Sequence, residues 1–370
     1  MIYLDNAATG GIKPVSVLSA VSASLKLCAN PGRSGHRLSI ALAERVYACR
    51  NLLSELFDGY SAERVVFTKS CTEGLNLATL GVLDEGDHVV TTALEHNSVL
   101  RPLEYLKNQG RITYSVAPLT DGNVEPETIA SLVTEKTRLV AVTSASNVTG
   151  ARPDLKRIRA LLPERVLLLV DGAQGGGHVP IHMRETGIDL LALAGHKGLN
   201  AIQGAGAFLF SERVNPRPLV MGGTGSESMN LSMPDFYPDR LESGTLSYPA
   251  VVSLFEGALS VMAELDKNAE KLLKITEAVG EEIQKLPRFR LYSKPNPCGI
   301  VSFAHERLSS EEVATFLSDE FDIATRGGLH CAPLVHQSLG TSPAGLVRAS
   351  FSPFQSLREG AMLLKALHRL

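Results

Sequence analysis

The chain contains 370 residues, 44% of them hydrophobic and 20% charged, and it carries a formal net charge of −3. This length and composition exclude an intrinsically disordered chain and predict two domains with a large buried core. The small net charge, without a basic tail, offers no general attraction to nucleic acid or to anionic membranes, so we expect no partner of either kind. We instead expect a protein that carries out chemistry on a small molecule.

The first residues, MIYLDN, lack the basic segment and apolar core of a signal peptide, and no run approaches the roughly 18 apolar residues of a membrane helix. These features predict a cytoplasmic protein. The cysteines are odd in number and lack CxxC spacing, which argues against a disulfide framework or a four-cysteine zinc site, and we expect no metal. They are Cys28, Cys49, Cys71, Cys298 and Cys331. The alternative that one of these cysteines is a free catalytic thiol stays open.

A helical pattern of apolar residues covers 37–57, and from about Arg64 to Phe210 short β-rich runs alternate with helical patterns. This alternation predicts a doubly wound, mostly parallel sheet. The seven predicted strands are 64–68, 88–92, 111–116, 138–143, 166–170, 189–193 and 205–210. Ligands bind such sheets beyond the carboxyl ends of the strands. Polar residues that follow the predicted strands closely are Thr72, His96, Asn147, Asp171 and Lys197.

After Pro249 a long helical pattern runs to about Lys285, with a predicted break near Gly280. The remainder predicts a smaller C-terminal α/β unit, with strands at 300–303, 321–324 and 347–351 and helices at 310–318 and 357–370. We therefore predict an α/β protein with a large domain of residues 15–255. The small domain would comprise residues 1–14 and 256–370.

Two of the residues after strands, taken together, indicate a site for pyridoxal 5'-phosphate (PLP). Lys197 ends the run LLALAGHK at 190–197, and Asp171 follows the apolar run 166–170. A lysine amine can form a Schiff base with the cofactor aldehyde, and a carboxylate can keep the pyridine nitrogen protonated so that the ring accepts electrons. A Gly-His-Lys tripeptide alone would be typical of a basic surface spot. The pairing with Asp171 is what favours a cofactor site.

The segment SCTEG at 70–74 lies between a predicted strand and a helical pattern. A helix that begins there would direct unpaired N–H groups and its positive dipole end at an anion, which suits a phosphate. The alternative is a plain helix N-cap. His96 has the ring to stack over a cofactor, although an isolated histidine in a βα loop is more often a polar surface residue.

Eight motifs in a fixed order carry a resemblance to a known family. They are YLDNAA at 3–8, TEGLN at 72–76, EHN at 95–97, SNVTG at 146–150, DGAQ at 171–174, GHK at 195–197, ESGT at 242–245 and RGGLHCAP at 326–333. With them the chain resembles the class V aminotransferase superfamily of fold-type I PLP enzymes. Within it, the chain is most similar to the cysteine desulfurase and selenocysteine lyase group.

The resemblance implies a role for each matching residue. Lys197 would bind the cofactor and later move the Cα proton of the substrate, and His96 would stack on the cofactor ring. The implied cofactor contacts come from Cys71 (through its backbone), Thr72, His96, Asn147, Asp171, Gln174, His196 and Thr245. The implied substrate contacts come from Asn147, Arg326 and Arg348, and His36 matches a family segment that borders the site. Thr245 would reach the phosphate of a neighbouring subunit, so the resemblance implies a homodimer with shared active sites.

Cys331 separates the possible reactions. In the desulfurase interpretation its thiolate attacks the sulfur of bound L-cysteine, which leaves a persulfide on Cys331 and releases L-alanine. Nearby positive groups lower a thiol pKa, and Arg326 and His330 are the expected activators. Cys28, Cys49 and Cys298 are expected to be buried small hydrophobes.

Only 17 positions separate Cys331 from Arg348, which resembles the group II members with a short cysteine loop. A short loop limits the travel of a persulfide, so we expect a sulfur-acceptor protein that docks at the site, or a small thiol. The alternatives are a selenocysteine lyase, another PLP-dependent aminotransferase, lyase or racemase acting on a small amino acid, and a catalytically weak sulfur-carrier scaffold. Two departures from the family concern the cofactor: Ala194 replaces a serine, and Cys71 replaces a threonine.

Overall fold

The structure is a computed structural model that describes residues 1–27 and 29–370. Its strands are β1 (Ile2–Tyr3), β2 (Val65–Thr68), β3 (His88–Thr92), β4 (Thr113–Ala117), β5 (Thr137–Thr143), β6 (Leu167–Asp171), β7 (Leu190–Ala194), β8 (Gly206–Phe210), β9 (Phe289–Leu291), β10 (Ile300–His305), β11 (Ile323–Ala324) and β12 (Val347–Ser350). Its helices are α1 (Val15–Ser24), α2 (Arg37–Leu56), α3 (Cys71–Leu80), α4 (Asn97–Asn108), α5 (Pro126–Ser131), α6 (Leu155–Leu161), α7 (Met183–Thr186), α8 (Tyr248–Gln284), α9 (Ser310–Phe321), α10 (Pro333–Leu339) and α11 (Leu357–Leu367).

The seven predicted strands form one sheet in the order β2-β8-β7-β6-β5-β3-β4, and the predicted mostly parallel α/β architecture is confirmed. Only β8 runs antiparallel to its neighbours, β2 and β7. The central strands β5, β6 and β7 are almost entirely buried because helices cover both faces of the sheet. The carboxyl ends of the parallel strands therefore meet at one edge, where β6 ends at Asp171 and β7 ends at Ala194.

The C-terminal part contains a second, smaller set of strands. β12, β10 and β9 form an antiparallel sheet, and β1 pairs with β11 in parallel. A separate apolar core joins Leu4 to residues between Leu272 and Leu367. The predicted division into residues 15–255 and residues 1–14 with 256–370 stays a prediction. Its boundary at 255/256 lies inside α8.

The predicted break near Gly280 is wrong, because α8 is continuous over 37 residues. Gly280 is buried where the helix packs against β9, and a Cβ at this position would lie 3.3 Å from a methyl carbon of Leu291. The glycine therefore permits a close approach instead of ending the helix. The predicted strand at 321–324 is also too long, since Phe321 ends α9 and Asp322 adopts a left-handed conformation with φ of 55°.

By length and composition alone α8 would suffice to cross a membrane. In the structure it packs against α1, α2, α11 and β9, and its buried residues run from Ala250 to Ile283. Its apolar surface is thus used inside the protein, as in the core helix of a globular fold.

We predict that Leu168→Ala lowers the melting temperature by roughly 3 to 6 °C. Leu168 lies at the centre of β6 with no exposed surface, and such a truncation removes about 2–5 kcal/mol of stability. Differential scanning calorimetry measures the change. Leu357→Ala, at a leucine that is 53% exposed, is the control and should shift the melting temperature by about 1 °C or less. Equal shifts in both variants would contradict the assignment of β6 to the core.

Candidate active site

A cavity of about 220 Å³ lies at the carboxyl edge of the large sheet. It brings together most of the residues that the sequence predicts for the site. They are Cys71, Thr72, His96, Asn147, Asp171, Gln174, His196, Lys197, Arg326 and Arg348. His36, Thr245 and Cys331 do not line this cavity.

A buried carboxylate and an amine share this cavity. Asp171 Oδ1 accepts hydrogen bonds from the Ala173 N–H at 2.9 Å and from the Cys71 thiol at 3.3 Å. Burial raises the pKa of Cys71 well above its ordinary value, so this side chain stays a thiol and can donate. Burial also lowers the pKa of Lys197, while the charge of Asp171 opposes that shift. The amine is therefore more readily deprotonated than a surface lysine.

His96 is fixed as the N-cap of α4, where its Nδ1 accepts the Ser98 N–H at 3.0 Å. Burial lowers the pKa of His96 to about 4, so the ring is neutral at neutral pH. With Nδ1 acting as an acceptor, the ring proton lies on Nε2. A neutral ring with one fixed edge is suited to stacking on an aromatic ligand.

The opposite wall is suited to an anion. α3 begins at Cys71 with Ser70 as its N-cap, and the first N–H groups of a helix have no partner within the helix. Thr72 Oγ1 lies 2.8 Å from Ser98 Oγ at the same end. Burial lowers the pKa of His196 to about 4, so this neutral ring can also offer an N–H. Its Nδ1 lies 3.1 Å from Thr9 Oγ1.

The residues of the cavity fit PLP. A lysine is available for the aldehyde, a carboxylate for the pyridine nitrogen, and a helix N-terminus for the phosphate. Gln174 Oε1 is buried without a hydrogen-bond partner in the described part of the chain, as expected of a polar atom whose partner is a ligand. Its Nε2 donates to the Ala7 carbonyl at 3.0 Å.

Arg348 forms the other end of the cavity and is only 1% exposed. Its Nη1 donates to the Asn147 carbonyl at 2.9 Å, and its Nη2 donates to Asp5 Oδ1 at 2.8 Å. Its Nε is buried without a partner among the described residues. Arg326 also lines the cavity and pairs with Arg348 through an isolated β-bridge. Two guanidinium groups at one cavity suit the binding of a carboxylate.

Cys331 is exposed and lines a groove that adjoins the cavity and shares Thr72, His96 and Ser98 with it. His330 and Cys331 both have a positive φ, 50° and 57°, which is rare for two successive residues with side chains. Hydrogen bonds hold this turn: Asn147 Nδ2 donates to the His330 carbonyl at 2.8 Å, and the Asn97 N–H donates to the Cys331 carbonyl at 2.7 Å. The nucleophile candidate thus sits on a tightly fixed backbone.

The expectation that His330 supplies positive charge to Cys331 is wrong. The ring is buried, and burial lowers its pKa to about 2, so it is neutral throughout the physiological range. Its Nε2 bonds to the Leu346 carbonyl at 3.0 Å. Of the two expected activators, His330 is therefore removed. Cys49 and Cys298 are buried as expected, with a pKa raised to about 12, whereas Cys28 lies outside the described residues.

Two predicted residues lie elsewhere. His36 is exposed and caps α2, where its Nδ1 accepts the Ser39 N–H at 3.2 Å. Thr245 is exposed and lines a different pocket beside Lys69 and Glu73. Its Oγ1 accepts from Asn30 at 3.5 Å. The structure of one chain does not bring either residue to the cavity.

Sequence reasoning missed several residues of the site. Asp5 and Ala7 come from the N-terminal segment, whose contact with Arg348 spans more than 340 positions. Glu95 is fully buried next to His96, and its Oε1 accepts from Thr92 Oγ1 at 2.6 Å and from the Thr143 N–H at 3.0 Å. The motifs YLDNAA and EHN contained these residues, but neither motif indicates which of its members touch the site.

The fold and this cavity define an α/β enzyme built to hold PLP. The sequence matches the family model for class-V aminotransferases over residues 2–359, so the chain belongs to the class-V aminotransferase family.

Its relatives within the family are cysteine desulfurases. A probable cysteine desulfurase of Aeropyrum pernix is 33% identical and is aligned over 100% of this chain and 94% of its own length. The cysteine desulfurase CsdA of Escherichia coli is 30% identical and is aligned over 100% of this chain and 93% of its own length. The apo structure of the cysteine desulfurase from Thermococcus onnurineus matches with a TM-score of 0.90 at 29% identity, over 100% of this chain and 94% of that one.

We predict that Glu95→Gln raises the melting temperature at pH 9 by about 2 to 4 °C and leaves it nearly unchanged at pH 5. Burial, with a contribution from Asp171, raises the pKa of Glu95 to about 8, and its Oε2 has no partner. A raised carboxyl pKa stabilises the fold fully below the unfolded value of 4.5, and this contribution is lost as the pH rises through about 8. The amide avoids that loss and keeps an acceptor oxygen.

Thermal melts at both pH values test this prediction, with the exposed Glu85→Gln as the control that should show no pH-dependent difference. A gain of equal size at pH 5 and pH 9 would mean that ionisation of Glu95 is not the cause.

Proposed function

We propose that the protein is a PLP-dependent cysteine desulfurase, which converts L-cysteine to L-alanine and leaves the sulfur as a persulfide on Cys331. The observation that carries the proposal is the cavity that combines Lys197, Asp171 and Arg348, with an exposed thiol in the adjoining groove. The names of the relatives support the same reaction.

When bound, PLP would supply an electron-accepting ring that stabilises negative charge at the substrate Cα. Asp171 would hold the ring nitrogen, Gln174 the ring oxygen and His96 the ring face. The phosphate would be held by Thr72, His196 and the Cys71 backbone. Asn147 borders both cofactor and substrate, and in a homodimer Thr245 completes the phosphate site of the neighbouring subunit.

Arg348, Arg326 and Asn147 bind the carboxylate of the amino acid, and His36 borders the entrance. With the carboxylate bound there, the substrate Cα would lie near Lys197. Since burial lowers the pKa of Lys197, the amine is suited to take a proton from Cα and to return it later.

Cys331 performs the sulfur transfer. Its thiolate attacks the substrate sulfur, so an S–S bond forms while the Cβ–S bond breaks, and Cβ then takes up a proton to give alanine. No external oxidant is required, because the electron pair of the broken Cβ–S bond stays with Cβ, which is reduced to the methyl group of alanine as the sulfur is oxidised to the persulfide level. The groove of Cys331 shares Thr72, His96 and Ser98 with the cavity, so the thiol would act from that side.

The fixed backbone of Cys331 limits how far the persulfide travels. With only 17 positions between Cys331 and Arg348, sulfur leaves through an acceptor that enters the groove, either a protein or a small thiol.

One observation favours a second candidate. Cys331 does not line the cavity, and a selenocysteine lyase does not need an attacking thiol, since selenium leaves more readily than sulfur. Cysteine desulfurization requires Cys331, whereas selenocysteine cleavage would not.

We predict that Cys331→Ala keeps the visible absorbance of bound PLP and loses at least about 100-fold in alanine formation from cysteine, because the attacking thiol is gone. Lys197→Ala should lose both the lysine-dependent absorbance and the turnover. The measurements are visible spectra and alanine assays with cysteine and with selenocysteine. Cys298→Ala, at a buried cysteine outside the cavity, is the matched control and should keep both.

The outcomes separate the alternatives. Selenocysteine turnover that survives Cys331→Ala favours the lyase, and unchanged cysteine turnover in that variant favours another PLP reaction. A wild-type protein without PLP absorbance supports the scaffold interpretation. Without added thiol, the wild type should release about one alanine per Cys331 and then slow markedly. Fast release without any acceptor would contradict the proposed sulfur exit.

We predict that mixing Lys197→Ala with Thr245→Ala subunits yields more activity than either variant alone. If Thr245 serves the neighbouring subunit, a mixed dimer contains one site with both an intact lysine and an intact threonine. The two variants are unfolded together, refolded and assayed, with each variant refolded alone as the control. Activity no higher than the mean of the two controls would show that the sites are not shared.

A further inference from the structure

The N-terminal segment 5–13 contacts three side chains of the cavity. Asp5 bonds to Arg348, the Ala7 carbonyl accepts from Gln174, and Thr9 Oγ1 lies 3.1 Å from His196 Nδ1. Two further contacts from this segment, the Gly10 N–H at 2.9 Å and Lys13 Nζ at 3.0 Å, reach the His196 carbonyl. The segment is thus a wall of the cavity.

Within this segment we infer that Asp5 is a positioning residue for the carboxylate of the substrate, which it controls through Arg348. The inference rests on the proposed function only in taking Arg348 as the group that binds the carboxylate. Asp5 does not line the cavity itself, so it acts from behind the arginine.

The contacts of Arg348 support this role. A guanidinium has five N–H groups. Asp5 accepts a hydrogen bond from Nη2, and the Asn147 carbonyl accepts one from Nη1. Among the described residues the Nε hydrogen has no partner although the side chain is 99% buried, so the hydrogen-bonding capacity of the guanidinium is not exhausted by Asp5 and Asn147. Asp5 and Asn147 together fix the plane of the guanidinium.

The charge of Asp5 matters because Arg348 is buried. A buried cation is costly unless an anion pairs with it, and Asp5 is the carboxylate that forms an ion pair with Arg348 within the described residues. An amide at position 5 would keep an acceptor oxygen but lose the attraction between opposite charges, so it would hold the guanidinium less firmly.

The backbone fixes Asp5 relative to Arg348. The Ser350 N–H donates to the Leu4 carbonyl at 2.6 Å, and the Ala7 N–H donates to Ser350 Oγ at 2.9 Å. Ser350 lies on the same strand as Arg348. Tyr3 adds a bond from its hydroxyl to the Asp5 carbonyl at 3.2 Å. The Asp5 carboxylate and the guanidinium are therefore held by one rigid unit.

The test compares Asp5→Asn with the wild-type holoenzyme. We expect the KM for L-cysteine to rise about 10-fold while kcat changes less than about threefold, because a loosely held guanidinium weakens binding of the carboxylate and leaves the chemistry intact. The second readout is the change in PLP absorbance on titration with L-alanine or ethylamine. The dissociation constant of L-alanine should rise about 10-fold, and that of ethylamine, which lacks a carboxylate, should stay within twofold.

Asp322→Asn is the matched control. Asp322 pairs with the N-terminal ammonium group next to the same strand β1, on the surface and away from the cavity. It should leave both dissociation constants and both kinetic constants unchanged. Melting temperatures of all three proteins identify any general loss of folding.

An unchanged or lowered L-alanine dissociation constant in Asp5→Asn would overturn the inference, as would equal losses for L-alanine and ethylamine, which indicate general damage. A wild-type enzyme that binds L-alanine through PLP but does not turn over cysteine would overturn the proposed function and leave the test of Asp5 intact. The two failures are therefore distinguishable.

Discussion

The site depends on placing charged groups where water is largely excluded. Asp171 is buried at the end of β6, and Lys197 follows the end of the neighbouring strand β7. Removing charges from water is costly, so the pair is tolerable because each group offsets part of the cost of the other. The parallel sheet makes this possible, since its buried strands end together at one edge. The other elements of the site are arranged around this pair.

The same exclusion of water decides the charge states of the surrounding residues. Three histidines near the cavity, His96, His196 and His330, are neutral because burial lowers each pKa to about 4 or below. The arginines stay charged and are collected at one end. The cavity therefore has a cationic end for a carboxylate and neutral N–H donors elsewhere, which suits an amino acid bound beside a phosphate-bearing ring.

The sequence predicts elements that leave a local pattern. All seven strands of the large sheet lie within two residues of their predicted ends, because each is an apolar run between polar residues. The two-residue strand β1 was missed, since its partner β11 lies about 320 positions away. The charge of His330 and the link between Asp5 and Arg348 depend on burial and distant packing. No local sequence pattern predicts either of these two features. Lys197 and Asp171, in contrast, were predicted because they lie at the ends of apolar runs.

Helix α8 has a mechanical consequence. It extends for 37 residues, about 55 Å at 1.5 Å per residue, and crosses from the large sheet to the small one without an internal proline. A continuous helix of this length keeps the distance between its two ends nearly constant. A clamshell motion that pivots at position 255 would have to break backbone hydrogen bonds of this helix, so the helix opposes such a motion.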